Sequence, residues 1–364
     1  MTATEAHAPS QEPAVPVMAH RWAHRHLLDV DVLSVEDLDL VMSRADAYAE
    51  AIAGRREPEP VLRGVNVTIL MYEASTRTRV SFEVAAGRIG GTVVNISSAG
   101  SSVTKGESLL DTMRTLESTG ADVLVMRHAS SGAPYLVARE FGGNVVNAGD
   151  GWHAHPTQAL LDLYTIRAHL GGAGTPVGGL LAGRKVAIVG DVMHSRVARS
   201  NLWTLTAAGA DLWVCAPSTL LRGFEAWGAA GVGGSAERRF TVTSDVRAAL
   251  RDADVVMTLR IQKERMASGL LPSMGEYASR YGITPERLAL AKPGALAMHP
   301  GPMNEGVEIA AEVANGPQSV ITEQVHSGVP IRMAVLSLVT SVHLRRAALP
   351  ASGPQTGSSA GERR

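Results

Sequence analysis

The chain has one cysteine, almost no net charge and no apolar run that approaches the length of a membrane span. Because Cys215 is the only cysteine among 364 residues, no disulfide can form within the chain, which favours a reducing compartment such as the cytoplasm. We expect Cys215, which lies in an apolar run, to be a core residue. The net charge of −1 provides no global attraction to nucleic acid or anionic lipid. We therefore predict a cytoplasmic protein with no nucleic-acid partner and no membrane partner.

Signatures of cofactor enzymes and metal enzymes are also missing. Gly190 follows a predicted strand but does not belong to a Gly-x-Gly-x-x-Gly fingerprint, and no Walker-type loop occurs. His153 and His155 do not form a set with zinc-ligand spacing, and we do not expect the pair to bind a metal. No nucleophile elbow is present. We predict no cofactor and no metal, which leaves catalysis by positioning and electrostatics.

Apolar strand-like runs alternate with amphipathic helical patterns along most of the chain. The strand-like runs are 65–71, 92–96, 122–126, 144–147, 185–189, 211–215, 239–242, 254–258 and 295–298. The helical patterns include 106–118, 156–169, 197–208 and 329–344. This alternation predicts an α/β fold with two doubly wound parallel-sheet domains joined by interdomain helices.

The domain boundaries follow from composition. A Gly-rich stretch at 171–183 separates the two sets of strands. We predict one domain at 21–156, completed by a C-terminal helix at 321–348, and a second domain at 157–320. Residues 1–20 lack the pattern of a secretory signal and are expected to form a disordered extension, as is the tail at 349–364.

The stretch Ser75-Thr76-Arg77-Thr78-Arg79 follows the first strand and opens a helical pattern. Free backbone N–H groups and the positive end of the helix dipole favour an anion there. Arginine adds charge-assisted hydrogen bonds, so we expect a phosphate or a phosphate ester. The alternative is a serine cap followed by solvated arginines, with Arg79 paired to Glu83 four residues later.

Polar and cationic residues follow several other predicted strands. In parallel sheets these strand ends share one edge, where ligands bind. The residues are Lys105, Arg127, His128, His155, Gln158, Asp191, His194, Arg196, Arg260, Gln262 and the run from His299 to Pro302. This pattern predicts one composite cationic cleft between the two domains.

These motifs resemble the aspartate branch of the aspartate/ornithine carbamoyltransferase family. The resemblance rests on Ser75 to Arg79 with Ser81-Phe82-Glu83, on His155 to Gln158 with Leu160-Leu161-Asp162, on Arg260 to Arg265, and on His299 to Pro302. It runs from about residue 26 to residue 346. It implies transfer of the carbamoyl group from carbamoyl phosphate to the amino group of L-aspartate. The products are N-carbamoyl-L-aspartate, for pyrimidine synthesis, and phosphate, and no covalent enzyme intermediate forms. The domain at 21–156 then binds carbamoyl phosphate and the domain at 157–320 binds aspartate.

The resemblance also implies roles for individual residues on the carbamoyl-phosphate side. Ser75, Thr76, Arg77 and Thr78 cradle the phosphate, and Arg127 contacts both phosphate and the carbamoyl oxygen. His155, with Thr78 and Arg127, stabilises the oxygen that becomes negative. Gln158 orients the carbamoyl amide.

On the aspartate side, the resemblance implies that Arg196, Arg260, Gln262 and Lys105 bind the carboxylates. Gly301 and Pro302 provide backbone contacts. Ser101 and Lys105 reach the site of a neighbouring subunit in a homotrimer. A regulatory chain or a dihydroorotase as a further partner stays open.

Other interpretations remain beside these. For Asp191 and His194 we favour the alternative that they shape a strand-to-helix turn. We likewise expect His299 to fix its own turn. Glu305 stands where relatives are expected to have arginine, and we hypothesise that it pairs with a nearby cation. Rival functions are transfer to another amine, such as ornithine, or an anion-binding module without turnover.

Overall fold

The computed structural model describes residues 21–97, 108–262, 269–271 and 273–347. Within them, nine strands form two parallel sheets. The first sheet contains β1 (Asn66–Met71), β2 (Thr92–Ser97), β3 (Val123–His128) and β4 (Asn144–Asp150). The second contains β5 (Lys185–Gly190), β6 (Asp211–Cys215), β7 (Thr241–Thr243), β8 (Val255–Leu259) and β9 (Leu296–Met298). The predicted α/β class with two parallel sheets is confirmed.

Helices cover the faces of both sheets. In the first half they are α1 (Val35–Ala53), α2 (Thr76–Arg88), α3 (Leu109–Ser118), α4 (Ala133–Glu140) and α5 (Pro156–Leu170). In the second half they are α6 (Arg196–Ala207), α7 (Phe224–Ala230), α8 (Val246–Leu250), α9 (Met274–Tyr281), α10 (Pro285–Leu288) and α11 (Ala311–Ala314). The last helix, α12 (Ile321–Ala347), returns to the first half and packs on α1, α2 and α5.

The order of the strands creates a switch point in each sheet. The first sheet has the order β2-β1-β3-β4, and the second has the order β7-β6-β5-β8-β9. The chain therefore leaves the sheet in opposite directions after β1 and β3, and again after β5 and β8. A crevice opens at the carboxyl ends of such strands, and this is where open α/β sheets bind ligands.

The nine predicted strands are all present, with ends that move by up to three residues. The largest shift is at β4, which continues to Asp150 because Asp150 still pairs with His128 of β3. Arg127 and His128 are the last two residues of β3 rather than the first residues after it. The sheets lie within the ranges predicted for the two domains, and α12 occupies the range expected for the C-terminal helix.

Helix α12 corrects one expectation from the sequence. Its segment Ile321–Val342 has 22 residues and contains an 18-residue window with a mean hydropathy of 1.3, so it is long and apolar enough to cross a membrane. Buried positions make up 72% of that window. Ile331, Val335 and Val339 are fully buried in the main hydrophobic core, so packing between layers explains the apolar composition.

The prediction for Cys215 can be compared with the structure, whereas those for three other segments cannot. Cys215 is fully buried on β6, as expected. The extension at 1–20, the tail from residue 348 and the segment 98–107, which contains Ser101 and Lys105, lie outside the described residues.

Candidate active site

The turn between β1 and α2 forms one wall of the site. Ser75 caps α2, since the Thr78 backbone N–H donates to Ser75 Oγ at 3.4 Å and Ser75 Oγ donates to Thr78 Oγ1 at 3.0 Å. The amino-terminal N–H groups of a helix lack partners within the helix and attract anions. The side chain of Arg79, in contrast, is 43% exposed and pairs with Glu83 at 3.6 Å, so the alternative role proposed for Arg79 is confirmed.

A cavity of about 750 Å³ lies between the two halves at both switch points. It brings together all the predicted site residues that the structure describes. These are Ser75, Thr76, Arg77, Thr78, Arg127, His155, Gln158, Arg196, Arg260, Gln262, Gly301 and Pro302. Ser101 and Lys105 lie outside the described residues. His128, Asp191 and His194 are not part of the lining.

Glu73 joins the arginines of the two halves, and sequence reasoning missed it. Its Oε1 lies 2.6 Å from Arg127 Nη2 and 2.5 Å from Arg196 Nη2, and its Oε2 lies 3.1 Å from Arg196 Nη1. Among the described residues that line the cavity, Glu73 is the one carboxylate. Its position between the end of β1 and Ser75, two residues from each, was the available signal. Glu73 therefore neutralises part of the charge of both guanidinium groups.

Two glycines allow arginines to lie directly against the backbone. Gly149 has φ +118°, and a Cβ there would lie 3.0 Å from Arg196 Nε and 3.4 Å from Arg127 Nη1. Gly301 has φ +66°, and a Cβ there would lie 3.0 Å from Arg77 Cζ. A side chain at either position would strain the backbone and displace a guanidinium group.

The cations of the cavity perturb one another. Burial and the nearby charge of Arg260 lower the pKa of Arg77, which shows that arginines from opposite halves interact. The pKa of His155 is well below its usual value, first because the ring is buried and then because Arg127, Arg196 and Arg332 are close. His155 is therefore a neutral imidazole at physiological pH. Its backbone N–H donates to Ser200 Oγ at 3.0 Å, which holds the start of α5.

In the second half, hydrogen bonds to Asp191 stabilise the turn after β5. Asp191 Oδ1 accepts from the His194 backbone N–H at 3.2 Å and lies 2.8 Å from His194 Nδ1. Asp191 Oδ2 accepts from the Gln262 backbone N–H at 3.3 Å. The turn-shaping alternative for Asp191 and His194 is confirmed, and the same turn places Arg196 at the start of α6.

The turn after β9 has its own internal bonds. His299 Nδ1 accepts from the Gly301 N–H at 2.8 Å, and His299 Nε2 lies 3.3 Å from Glu308 Oε1. The turn-fixing role expected for His299 is therefore confirmed. Glu305 forms no ion pair with any residue in the described part of the chain, so the hypothesised pairing is not found there.

The pair of closely spaced histidines is divided between two environments. His155 lines the cavity, whereas His153 Nδ1 lies 3.2 Å from Asp150 Oδ2, and its Nε2 lies 3.6 Å from Asp29 Oδ2. Among the described residues, no group of three or more metal-ligating side chains is arranged to hold a metal ion.

The arrangement can hold two anionic molecules in contact. A helix amino terminus with hydroxyl groups lies on one side, arginines from both halves surround the space, and a neutral histidine and a glutamine lie at the floor. Fixed donors in a partly dry cleft stabilise developing negative charge without reorganising.

Comparison with known proteins gives family matches to both halves of the chain. Residues 25–168 match the carbamoyl-P binding domain of aspartate/ornithine carbamoyltransferases, and residues 182–339 match their Asp/Orn binding domain. Aspartate carbamoyltransferase catalytic subunits of Roseiflexus castenholzii and Gluconobacter oxydans are each 52% identical to the chain. These matches cover 87% and 94% of this chain, and 96% and 99% of the relatives.

Solved structures agree with this similarity. An ornithine carbamoyltransferase from Pyrococcus furiosus superposes with a TM-score of 0.77 at 27% identity, covering 89% of this chain and 99% of that one. An aspartate transcarbamoylase from Trypanosoma cruzi, in complex with N-(phosphonacetyl)-L-aspartic acid, has a TM-score of 0.74 at 31% identity. That match covers 89% of this chain and 97% of the other. The chain therefore belongs to the aspartate/ornithine carbamoyltransferase family.

Proposed function

We propose that the chain transfers the carbamoyl group of carbamoyl phosphate to the amino group of L-aspartate, giving N-carbamoyl-L-aspartate and phosphate for pyrimidine synthesis. The observation that carries this proposal is the shared cavity into which Arg77, Arg127, Arg196 and Arg260 converge from both halves. The relatives named aspartate carbamoyltransferase, at 52% identity, support the same reaction.

Carbamoyl phosphate binds at the start of α2 in this proposal. Ser75, Thr76, Arg77 and Thr78 hold the phosphate oxygens through hydroxyl groups, backbone N–H groups and one guanidinium. Arg127 leaves Glu73 to contact the phosphate and the carbamoyl oxygen. The similarity to a Trypanosoma cruzi aspartate transcarbamoylase solved in complex with carbamoyl phosphate supports carbamoyl phosphate as the ligand.

Aspartate binds on the opposite wall, where Arg196, Arg260 and Gln262 receive its two carboxylates. An ornithine acceptor would require a carboxylate for its side-chain amine, and Glu73, the one cavity carboxylate among the described residues, is outnumbered by the arginines that line the same cavity. The charge of the cavity therefore favours a dicarboxylate over a diamine.

The chemistry is direct attack of the aspartate amine on the carbamoyl carbon. A C–N bond forms, the carbamoyl oxygen becomes negative, and the C–O bond to phosphate then breaks. Neutral His155, Thr78 and Arg127 stabilise that oxygen, and the departing phosphate is the proposed acceptor of the amine proton. Two unit charges 4 Å apart repel by about 4 kcal/mol at an effective dielectric constant of about 20, so the arginines are needed to bring two anions together.

The assembly in this proposal is a cytoplasmic homotrimer whose sites receive Ser101 and Lys105 from a neighbouring subunit. Val80 and Val84 on α2 and Val94 on the edge strand β2 are exposed apolar residues, which supports a subunit contact that involves α2 and β2. A regulatory chain or a dihydroorotase could bind the trimer from outside without entering the cavity.

A direct assay tests the proposal. Purified protein is incubated with carbamoyl phosphate and, in parallel, with aspartate, ornithine or N-acetylornithine, while phosphate and carbamoylated product are quantified and the mass in solution is measured. Turnover with aspartate on a trimer, or a multiple of three, is expected. Preference for ornithine, or phosphate binding without turnover, would contradict the proposal.

A further inference from the structure

A buried carboxylate, Asp162, lies beneath the floor of the cleft, one helical turn after Gln158. It is fully buried. Its Oδ1 accepts from Gln158 Nε2 at 2.9 Å and from Gln324 Nε2 at 2.8 Å, and its Oδ2 accepts from Asn201 Nδ2 at 2.8 Å. The three amide donors come from α5, α12 and α6. One carboxylate therefore joins three helices directly under the site.

The orientation of each amide follows from a backbone donor. The His299 N–H can only donate, and it donates to Gln324 Oε1 at 2.9 Å. Gln324 must therefore turn its NH₂ group towards Asp162, which makes Asp162 Oδ1 an acceptor. Gln158 shares that same oxygen, so Gln158 also presents its NH₂ group to Asp162. The oxygen of Gln158 is left for the cleft, where it can accept from an amide N–H.

A second arm of the network reaches the turn after β9. Gln324 holds the His299 backbone N–H, and His299 Nδ1 accepts from the Gly301 N–H at 2.8 Å. Gly301 in turn lies against the guanidinium of Arg77. A continuous path of hydrogen bonds thus runs from Asp162 to the turn that faces the phosphate wall.

The charge on Asp162 is balanced inside the protein. Burial raises the pKa of Asp162 to about 6, whereas the amides of Asn201, Gln324 and Gln158 and the nearby charge of Arg332 favour the ionised form. Asp162 is therefore ionised at neutral pH. An acceptor without hydrogen atoms is the one group that fixes all three amides in a single orientation.

We propose that Asp162 is a positioning residue for the transfer reaction, an inference that rests on the function proposed above. Its carboxylate keeps the oxygen of Gln158 turned towards the carbamoyl amide of the substrate. Through Gln324 it also fixes the turn that carries Gly301 and Pro302. Asp162 itself contacts no substrate.

The substitution Asp162→Asn tests this role, because it preserves shape and places a donor where an acceptor stood. If the new NH₂ group faces Gln158, that glutamine must reverse and lose its acceptor in the cleft. We expect kcat to fall about tenfold or more, since misorientation of a group that positions the reacting amide is costly. The KM for aspartate should change less than threefold, because no member of the network bonds to Arg196 or Arg260.

Adding Asn201→Asp to this variant provides a rescue. The new carboxylate at position 201 accepts from the new NH₂ group at position 162, which turns the remaining amide oxygen back towards Gln158 and Gln324. We expect the double variant to recover kcat to within about threefold of wild type. The matched control is Asp46→Asn. Asp46 lies away from the cleft, and its Oδ2 lies 2.7 Å from Arg167 Nη2. That control should lower thermal stability and leave kcat unchanged.

Active sites are counted by titration with a bisubstrate analogue, so that kcat refers to folded sites. If Asp162→Asn does not fold, two other variants test the role. One is the double variant, and the other is Gln324→Met, which removes only the hydrogen bonds of the second arm. We expect kcat to fall about threefold in Gln324→Met. A wild-type protein without turnover would contradict the proposed function alone. Crystal structures of wild type and Asp162→Asn then decide the positioning role: an unmoved Gln158 and an unmoved 299–302 turn overturn it, as does wild-type kcat in Asp162→Asn.

Discussion

Each half of the molecule places a strand-to-helix turn at the edge of the cleft, but the two turns are built differently. After β1, Ser75 caps α2, and the hydroxyl groups and Arg77 that follow line the cavity. After β5, Asp191 occupies the turn and accepts hydrogen bonds from His194 and from the Gln262 backbone. The first turn is open to an anion, whereas the second is filled by its own carboxylate.

The difference explains how each half presents positive charge. A helix amino terminus favours one anion, and in the second half Asp191 already supplies a negative group next to the start of α6. The second half therefore presents charge on long side chains, Arg196 and Arg260, rather than through backbone N–H groups. Side chains can follow a flexible dicarboxylate, while the fixed backbone cradle suits a compact phosphate.

Removing Arg77 should break the open turn most severely. Arg77→Ala should lower kcat by about a hundredfold or more, because a charge-assisted donor at the leaving phosphate is lost. The control is Arg79→Ala in the same turn, whose side chain is exposed and paired with Glu83; it should change kcat less than twofold. Steady-state kinetics with varied carbamoyl phosphate measures both. Equal effects of the two substitutions would refute the assigned difference between them.

Removing Arg196 should affect the opposite wall. Arg196→Gln should raise the KM for aspartate by about tenfold or more, since a buried arginine that receives a carboxylate is lost. It should change the KM for carbamoyl phosphate far less. Arg280→Ala is the control, because Arg280 pairs with Glu276 on the exposed face of α9. An Arg196 variant that loses carbamoyl phosphate affinity instead would reverse the assignment of the two walls.

The sequence predicts the strands and the edge that carries the cations, because strand patterns and the Ser75 to Arg79 motif are local. It does not reveal contacts made across long stretches of chain. Glu73 meets Arg196 at a separation of 123 residues, and Gln324 meets Asp162 at a separation of 162 residues. Such pairs depend on how the two sheets and α12 come together. The roles of Glu73 and Asp162 therefore could not be predicted from the residues next to them in the sequence, because their partners come from distant parts of the chain.

Asp191→Asn tests whether the filled turn is structural. It weakens the bond to the His194 ring and places a donor near two backbone N–H groups, so the free energy of unfolding should fall by about 1–3 kcal/mol. The KM for aspartate should rise only a few fold, because Arg196 is displaced rather than removed. Thermal denaturation and aspartate saturation curves measure the two effects. A loss of turnover at full stability would mean that Asp191 takes part in the chemistry.

The two capping serines give the smallest and sharpest contrast. Ser75 accepts from the Thr78 N–H, and Ser195 accepts from the Ala198 N–H at 3.1 Å. Replacing either by alanine should cost about 1 kcal/mol of stability, because each removes a helix cap. Only Ser75→Ala should also lower kcat/KM for carbamoyl phosphate, by about tenfold, since its hydroxyl faces the phosphate. Ser195→Ala should stay within threefold of wild type, although Ser195 also lines the cavity, because it lies at the start of α6, on the wall proposed to bind aspartate. Denaturant titration and initial rates at low carbamoyl phosphate separate the two outcomes, and equal kinetic losses would show that both turns bind substrate.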